Sequence, residues 1–259
     1  FIVGTIAKFT LCNQKGLTIM AGYNSLHPAY NITLSVFGVI QGFFYNTYMI
    51  AGAGLALYHI TNIGSSWIWG LAAVALSFWI TGRRAYQTLE TANKIILGVM
   101  TLSLVGVFIW VGPDFGAMLK GVITFEVPET VGGFAAMTVV ISIIGTVAGS
   151  LANLLYPYFL DSKGWKGPEY RKIQKVDLLF GCLMIVILDL AIWGVGAEVL
   201  QPRGIVIEGI EDLALLLGSV IGKVGEYCIY FGVLGATIST LFGHSAGFPR
   251  LAIDGIQTA

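Results

Sequence analysis

The residues best suited to chemistry are Gly145-Thr146-Val147-Ala148-Gly149-Ser150, followed by Asn153. They interrupt an apolar run, residues 132–160, close to its midpoint. Bilayer hydrocarbon is about 30 Å thick and takes about 20 helical residues to cross, so the run exceeds one straight span. Two glycines four apart loosen a helix at that depth, each costing roughly 0.5–1 kcal/mol relative to Ala. Backbone freed there must find partners in protein, water or a ligand, and broken helices near the midplane are where secondary transporters hold substrate. Ser150, Asn153 and carbonyls near residues 145–147 are oxygen ligands, the kind a hard or hydrated cation prefers. The same Gly-x-x-x-Gly spacing also lets neighbouring helices approach closely, so the spacing alone leaves site and packing both open.

Further polar residues lie within apolar stretches and need a reason to be there. Asp189 sits in the middle of LLFGCLMIVILDLAIWGVGAEVL, where an ionised group costs several kcal/mol unless hydrated or paired. It is an ion-pathway candidate, against the alternative of a protonated Asp bonded to a neighbouring helix. Gln41, Tyr45 and Asn46 occupy adjoining positions of another apolar run and line a polar path or bond between helices. His244 closes a later apolar run beside Gly243, placed either for proton transfer or simply at an interface.

The elements that must position these residues are membrane helices. Hydrophobic residues make up 56% of the 259 and charged ones only 11%, with 34 glycines, whereas soluble domains carry about 25% charged residues. Mean hydropathy is +0.82. The fold class read from this is an all-α polytopic membrane protein, a single transmembrane domain over residues 1–259. Six spans are expected, at residues 30–58, 66–81, 95–111, 132–160, 178–200 and 213–241. Residues 1–26 read as the tail of an earlier span plus a surface helix or loop. Glu211 and Asp212 fall in a polar loop, where solvated charge is the plain reading.

Charge supports that count. One side receives Lys8, Lys15, Arg83, Arg84, Lys94, Lys163, Lys166, Arg171, Lys172, Lys175 and Arg250, leaving only Lys120, Arg203 and Lys223 of the 14 basic residues for the other. Basic residues favour the cytoplasmic side, so the first group is placed there. The opposite loops are acidic, with Glu126, Glu129 and Glu208 among them. A net charge of zero gives no nucleic-acid partner; the expected partner is the lipid bilayer. Cys12, Cys182 and Cys228 have no metal-ligand spacing. A chain opening at Phe1 and stopping soon after an apolar run is expected to continue at both ends.

The segment IIGTVAGSLANLLYPYFLDSKGWKGPEYRKIQKVDLLFG resembles the sixth transmembrane region and following loop of the Nramp-type metal transporters, in a divergent bacterial branch. RRAYQTLETANKIILGVMTLSL is similar to that family's fifth helix, and ISTLFGHSAGFPRLAIDGI to the end of its eighth, before a cytoplasmic turn. The resemblance covers most of the chain and makes the six spans the family's third to eighth. It implies a leucine-transporter-type inverted-repeat fold with substrate between two broken helices. It further implies a divalent metal cation as transported substrate, no cofactor, possible coupling to protons, and a bacterial inner membrane.

Two departures bear on substrate. The family's Asp-Pro-Gly-Asn motif, from its first broken helix, is expected upstream of Phe1, and Ala148-Gly149-Ser150 stands where the family has Met-Pro-His. Without the Met thioether the site loses the soft ligand that favours transition metals over Mg²⁺ or Ca²⁺. Substrate-binding candidates are therefore Gly145, Thr146, Val147, Ala148, Gly149, Ser150 and Asn153, with Ser150 and Asn153 as side-chain metal ligands. The pathway candidates are Asp189, Gln41, Tyr45, Asn46 and His244.

No His-Glu-x-x-His, Gly-x-Ser-x-Gly or phosphate-loop pattern occurs, so the chain does not read as an enzyme. A transporter of the same fold could instead carry an amino acid or small organic solute with Na⁺ or H⁺, its broken helix presenting N–H groups to a carboxylate. A membrane receptor or scaffold without transport is the reading from another class.

Overall fold

The structure is a computed structural model and describes residues 1–13, 15–82, 86–124, 130–131, 134–200 and 209–259. Arg83, Arg84, Glu126, Glu129, Arg203 and Glu208, which entered the charge pattern, lie outside the described residues. In chain order the helices are α1 (Ile2–Cys12), α2 (Ile19–Leu26), α3 (Pro28–Thr61), α4 (Ser66–Gly82), α5 (Tyr86–Val111) and α6 (Phe115–Thr124). After a two-residue antiparallel ladder, β1 (Thr130–Val131) with β2 (Phe134–Ala135), come α7 (Ala136–Ala148), a 3-10 turn (Leu151–Leu155) and α8 (Tyr156–Ser162). The chain ends with α9 (Arg171–Val195), running into a π turn (Gly196–Leu200), then α10 (Ile210–Ile221) and α11 (Lys223–Thr258).

Among the described residues, three stretches, Val140–Ser162, Pro168–Val199 and Lys223–Thr258, are long and apolar enough to cross a membrane. Leu104–Val111 with Phe115–Thr124, bent by 105°, makes a fourth if the pair counts as one span. α3 has 34 residues, but Gln41, Tyr45, Asn46 and Thr47 interrupt it and it falls short of the same hydropathy. Its flank nevertheless displays Val36, Phe37, Ile40, Phe43 and Phe44 outward, and such a continuous apolar surface needs lipid or protein over it.

α3 and α11 form the central pair, and small residues let them touch. A Cβ on Gly38 would come within 2.7 Å of Leu251, and one on Gly42 within 2.8 Å of Phe248. Three apolar clusters hang on α11. Leu104, Val107, Leu188, Ala191, Leu217 and Ile229 join α5, α9, α10 and α11 at one end. Ala53, Ala73 and Leu241 hold α3, α4 and α11 in the middle. Met20, Leu154, Leu155, Phe248 and Leu251 bind α2 and the 3-10 turn to α11 at the other end. α7, in contrast, exposes Ile141, Ile143 and Ile144 and associates mainly with β1 and β2.

The last span differs from the expected 213–241. Gly222, at φ 69°, ends α10, and α11 then runs unbroken to Thr258 with Pro249 inside it. A proline removes one backbone bond and ordinarily kinks or stops a helix. Here Phe248 and Leu251, both buried on either side of Pro249, hold the helix against its neighbours. Glu211 and Asp212, expected in a solvated loop, instead open α10, where carboxylates suit the positive end of the helix dipole. Glu211 Oε1 lies 3.0 Å from His59 Nε2, and the His59 ring stacks on Tyr230 at 4.9 Å.

Candidate ion site at the helix break

The break falls where the glycines and Ser150 foretold it. α7 stops at Ala148, the chain bends at Gly149, and Ser150 is extended at φ −68°, ψ 127° before the 3-10 turn begins. The Gly149 N–H donates to the Gly145 carbonyl at 3.0 Å, so that carbonyl is engaged. The carbonyls of Thr146, Val147 and Ala148 lie beyond the last complete turn and belong to the negative end of the helix. Gly149 is required by space as well: a Cβ there would sit 2.8 Å from the Gly145 oxygen, whereas one on Gly145 meets nothing within 4 Å.

On the far side of the break the N–H groups are already taken. Leu151 N–H donates to Gln41 Oε1 at 2.8 Å, and Ala152 N–H to Ser150 Oγ at 3.2 Å. Asn153 N–H donates to the Ser150 carbonyl at 3.1 Å. Gln41 also donates through Nε2 to the Tyr45 hydroxyl at 3.1 Å, and Tyr45 donates to Ser150 Oγ at 3.5 Å. One relay therefore runs from α3 into the break.

His244 joins this relay through its ring. It stacks on Tyr45, centroids 5.4 Å apart at 23°, and meets Phe248 edge to face at 5.2 Å. Because α11 continues past Pro249, His244 lies well inside the helix rather than closing the run as expected. Beside it, α3, α4 and α11 enclose a cavity of about 190 Å³ lined by Asn46, Ser77 and Ser245 among apolar residues. Ser77 and Ser245 hydroxyls are 3.3 Å apart. Asn46 Oδ1 and His244 Nδ1 are buried with no hydrogen-bond partner among the described residues.

The structure thus gathers Gln41, Tyr45, Ser150 and His244, with Asn46 one position from Tyr45. It does not bring Asp189 to them; that residue is exposed on α9, whose buried face, Leu188, Ala191 and Val195, packs in the α5 cluster. Among the described residues no three His, Cys, Asp or Glu side chains converge as a metal cluster. The oxygens at the break are neutral hydroxyl, amide and carbonyl groups, which match a partly hydrated cation better than a tightly held, dehydrated one.

Sequence reasoning passed over Ser77, Ser245, Tyr158 and Asp254. The serines carry no spacing signal, since small hydroxyl residues are ordinary in packed membrane helices. Tyr158 was read only as part of the apolar run 132–160, and Asp254 lay beyond the expected end of the last span at 241. Continuing the helical period of ISTLFGHSAGF through Pro249 would have set Asp254 on the same helix as His244.

Neither a curated protein nor a solved structure matches the chain. The sequence pattern of one family, described as Natural resistance-associated macrophage protein-like, matches residues 4–249. That match covers nearly all of the 259 residues, so the chain belongs to the Nramp family of metal-ion transporters and is an integral membrane protein.

Proposed function

We propose that this protein is a secondary transporter that moves a divalent metal cation, coupled to protons, and holds it at the break between α7 and the 3-10 turn. The cation is the substrate; no resident cofactor takes part. Its ligands are the carbonyls of Thr146, Val147 and Ala148, the Ser150 hydroxyl and the Asn153 amide, with waters completing its shell. Gly145 and Gly149 give the space, and Gln41, Tyr45, Asn46 and His244 form the polar path beside it. Asp189 serves from a separate face of α9. In this reading the six spans form part of an inverted-repeat fold in a bacterial inner membrane, with the basic end of the bundle facing the cytoplasm.

The observation that carries the choice of a cation is the asymmetry of the break. The N–H groups of Leu151, Ala152 and Asn153 are all engaged by Gln41 Oε1, Ser150 Oγ and the Ser150 carbonyl. A carboxylate-bearing solute would need those donors free, whereas a cation meets the carbonyl end of α7. Neutral oxygens without a thioether further favour Mg²⁺ or Ca²⁺ relative to Mn²⁺, compared with sites that include soft ligands.

The test is flux into proteoliposomes, with Mn²⁺, Mg²⁺ and Ca²⁺ supplied in turn and an amino-acid mixture in parallel. Divalent flux in which Mg²⁺ competes effectively with Mn²⁺ is the expected result. Amino-acid uptake with no cation movement other than Na⁺ or H⁺ would replace the proposal with the organic-solute reading. Strong Mn²⁺ selectivity would keep metal transport and refute the argument from the missing thioether.

A further inference from the structure

α6 is an amphipathic helix that the bundle leaves uncovered. Phe115, Met118, Leu119, Val122 and Ile123 recur at the spacing of one helical face, and Ala117, Lys120, Gly121 and Thr124 fall on the opposite one. Phe115, Leu119, Val122 and Ile123 are each more than half exposed, and no residue of the helix is buried. The small and polar face is the one that leans on the bundle: a Cβ on Gly121 would come within 3.7 Å of the Trp193 ring on α9. The apolar stripe is turned away, and a stripe of that kind needs something apolar over it.

The corner before α6 says what covers it. Gly112, at φ 72°, ends α5, and α6 leaves at 105° to the last turns of that helix. The Asp114 carboxylate accepts the Ala117 N–H at 3.0 Å, and the Asp114 N–H donates to Glu198 Oε1, in the π turn after α9, at 2.8 Å. Phe108 and Phe115 meet edge to face across the corner, centroids 5.9 Å apart. A helix set close to a right angle to α5 gains almost no depth, so α6 runs along the membrane plane instead of carrying α5 onward. Its level is marked on both sides. Asp114 and Glu198 are exposed carboxylates and belong to water, whereas Trp110 on α5 and Trp193 on α9, five residues or fewer from them in sequence, are exposed indoles. Tryptophan collects where hydrocarbon meets the headgroups.

We infer that α6 lies in the headgroup–acyl boundary of the leaflet opposite the basic end, with its apolar stripe in lipid, and fastens the first half of the broken helix to the bilayer. An amphipathic helix of this kind seats its apolar face about 5–10 Å into that boundary. Lys120, on the other face, is placed to meet water and lipid phosphates. Five residues after α6 the chain enters β1, and α7 has its main neighbours in β1 and β2 rather than in the bundle. The other half of the broken helix is held differently: the Tyr158 hydroxyl of α8 donates to Asp254 of α11 at 2.6 Å. One half is thus tied to the bundle and the other to the leaflet.

The experiment sets the environment-sensitive fluorophore NBD on single cysteines at Phe115, Leu119, Ile123, Lys120 and Thr124 of the full chain in phosphatidylglycerol–phosphatidylethanolamine vesicles, with Cys12, Cys182 and Cys228 replaced by Ala. Lipids carrying a nitroxide near the head of the acyl chain should quench Phe115, Leu119 and Ile123 alike, about twofold more than lipids carrying it near the tail, as for a helix seated in the boundary. Aqueous iodide should quench Lys120 and Thr124 instead. Phe115 also packs on Phe108, so Leu119 and Ile123 decide the matter if its replacement fails to fold. Quenching that passes from the shallow to the deep nitroxide between Leu119 and Ile123 would make α6 part of a span and overturn the inference. Protection of the stripe from both nitroxides and from iodide would put protein over it, a second copy or another segment, and overturn it equally. For the hold on α7, a spin label at Met137 should shift to faster tumbling when Leu119→Asp and Ile123→Asp are combined, and stay as in the parent with Lys120→Asp. Unchanged tumbling in the double variant would refute that hold.

Discussion

Gln41 on α3 accepts the backbone N–H of Leu151 at 2.8 Å, a contact between residues 110 apart in sequence that fixes the start of the second half-helix to the central span. Its amide nitrogen holds Tyr45 in the same step. Gln41→Leu would leave the Leu151 N–H without its partner in a partly buried position, a loss of about 1–3 kcal/mol. Lower thermal stability in detergent, together with weaker divalent uptake at equal membrane content, is the expected outcome. Gln41→Glu keeps the acceptor and should retain more of the stability than Leu does.

The two glycines of the break should not behave alike. Gly145→Ala places its methyl in open space and should pass with uptake near that of the parent. Gly149→Ala drives a Cβ to 2.8 Å from the Gly145 oxygen, and Gly149→Leu adds bulk where the cation would sit. Uptake per copy of membrane-inserted protein should therefore fall in the order Gly145→Ala, Gly149→Ala, Gly149→Leu. Equal loss for both alanine variants would assign the Gly-x-x-x-Gly pair to helix packing.

How much of this was legible in the residues differs by feature. Ser150 and Gly149 announced the break because a local rule, helix propensity, is violated in an apolar run that needs a helix. Gln41 and Tyr45 stood out as polar residues in a span, yet their joint attachment to Leu151 and Ser150 is a contact across 105 and 110 residues that no local pattern encodes. His244 was read as closing an apolar run beside Gly243; the helix in fact continues past it through Pro249, held by the packing of Phe248 and Leu251. Asp189 drew attention through its depth in an apolar run, but the helical period sets it beside, not within, the face formed by Leu188, Ala191 and Val195.

Sidedness can be checked at the two ends of α11. Thirty-six residues at about 1.5 Å each exceed the hydrocarbon thickness, so its ends belong to opposite aqueous phases in the proposed topology. Single cysteines at Lys166, at the end of the bundle where Arg250 reaches Ser162, and at Lys223, in a background without Cys12, Cys182 and Cys228, should react from opposite sides of sealed cells. An impermeant reagent reaching both from outside would overturn the six-span arrangement and the cytoplasmic placement of the basic end.

His244 offers the sharpest separation of proton from metal movement. Its Nδ1 is buried without a partner among the described residues, while its ring is held by Tyr45 on one face and Phe248 at the edge. His244→Phe preserves that aromatic packing and removes both nitrogens, so the break and its oxygens keep their support through Gln41 and Ser150. With Nδ1 buried and without a partner among the described residues, the imidazole can take up a proton there and release one from its other nitrogen, which a phenyl ring cannot. In vesicles loaded with a pH dye and a divalent-cation dye, the variant should still admit the cation but move far fewer protons with each one. Tyr45→Phe, which deletes the hydroxyl reaching Ser150 and leaves the stack, should do the reverse and weaken cation uptake first. Parallel loss of both fluxes in His244→Phe would show that the ring serves packing between α3 and α11 and carries no proton.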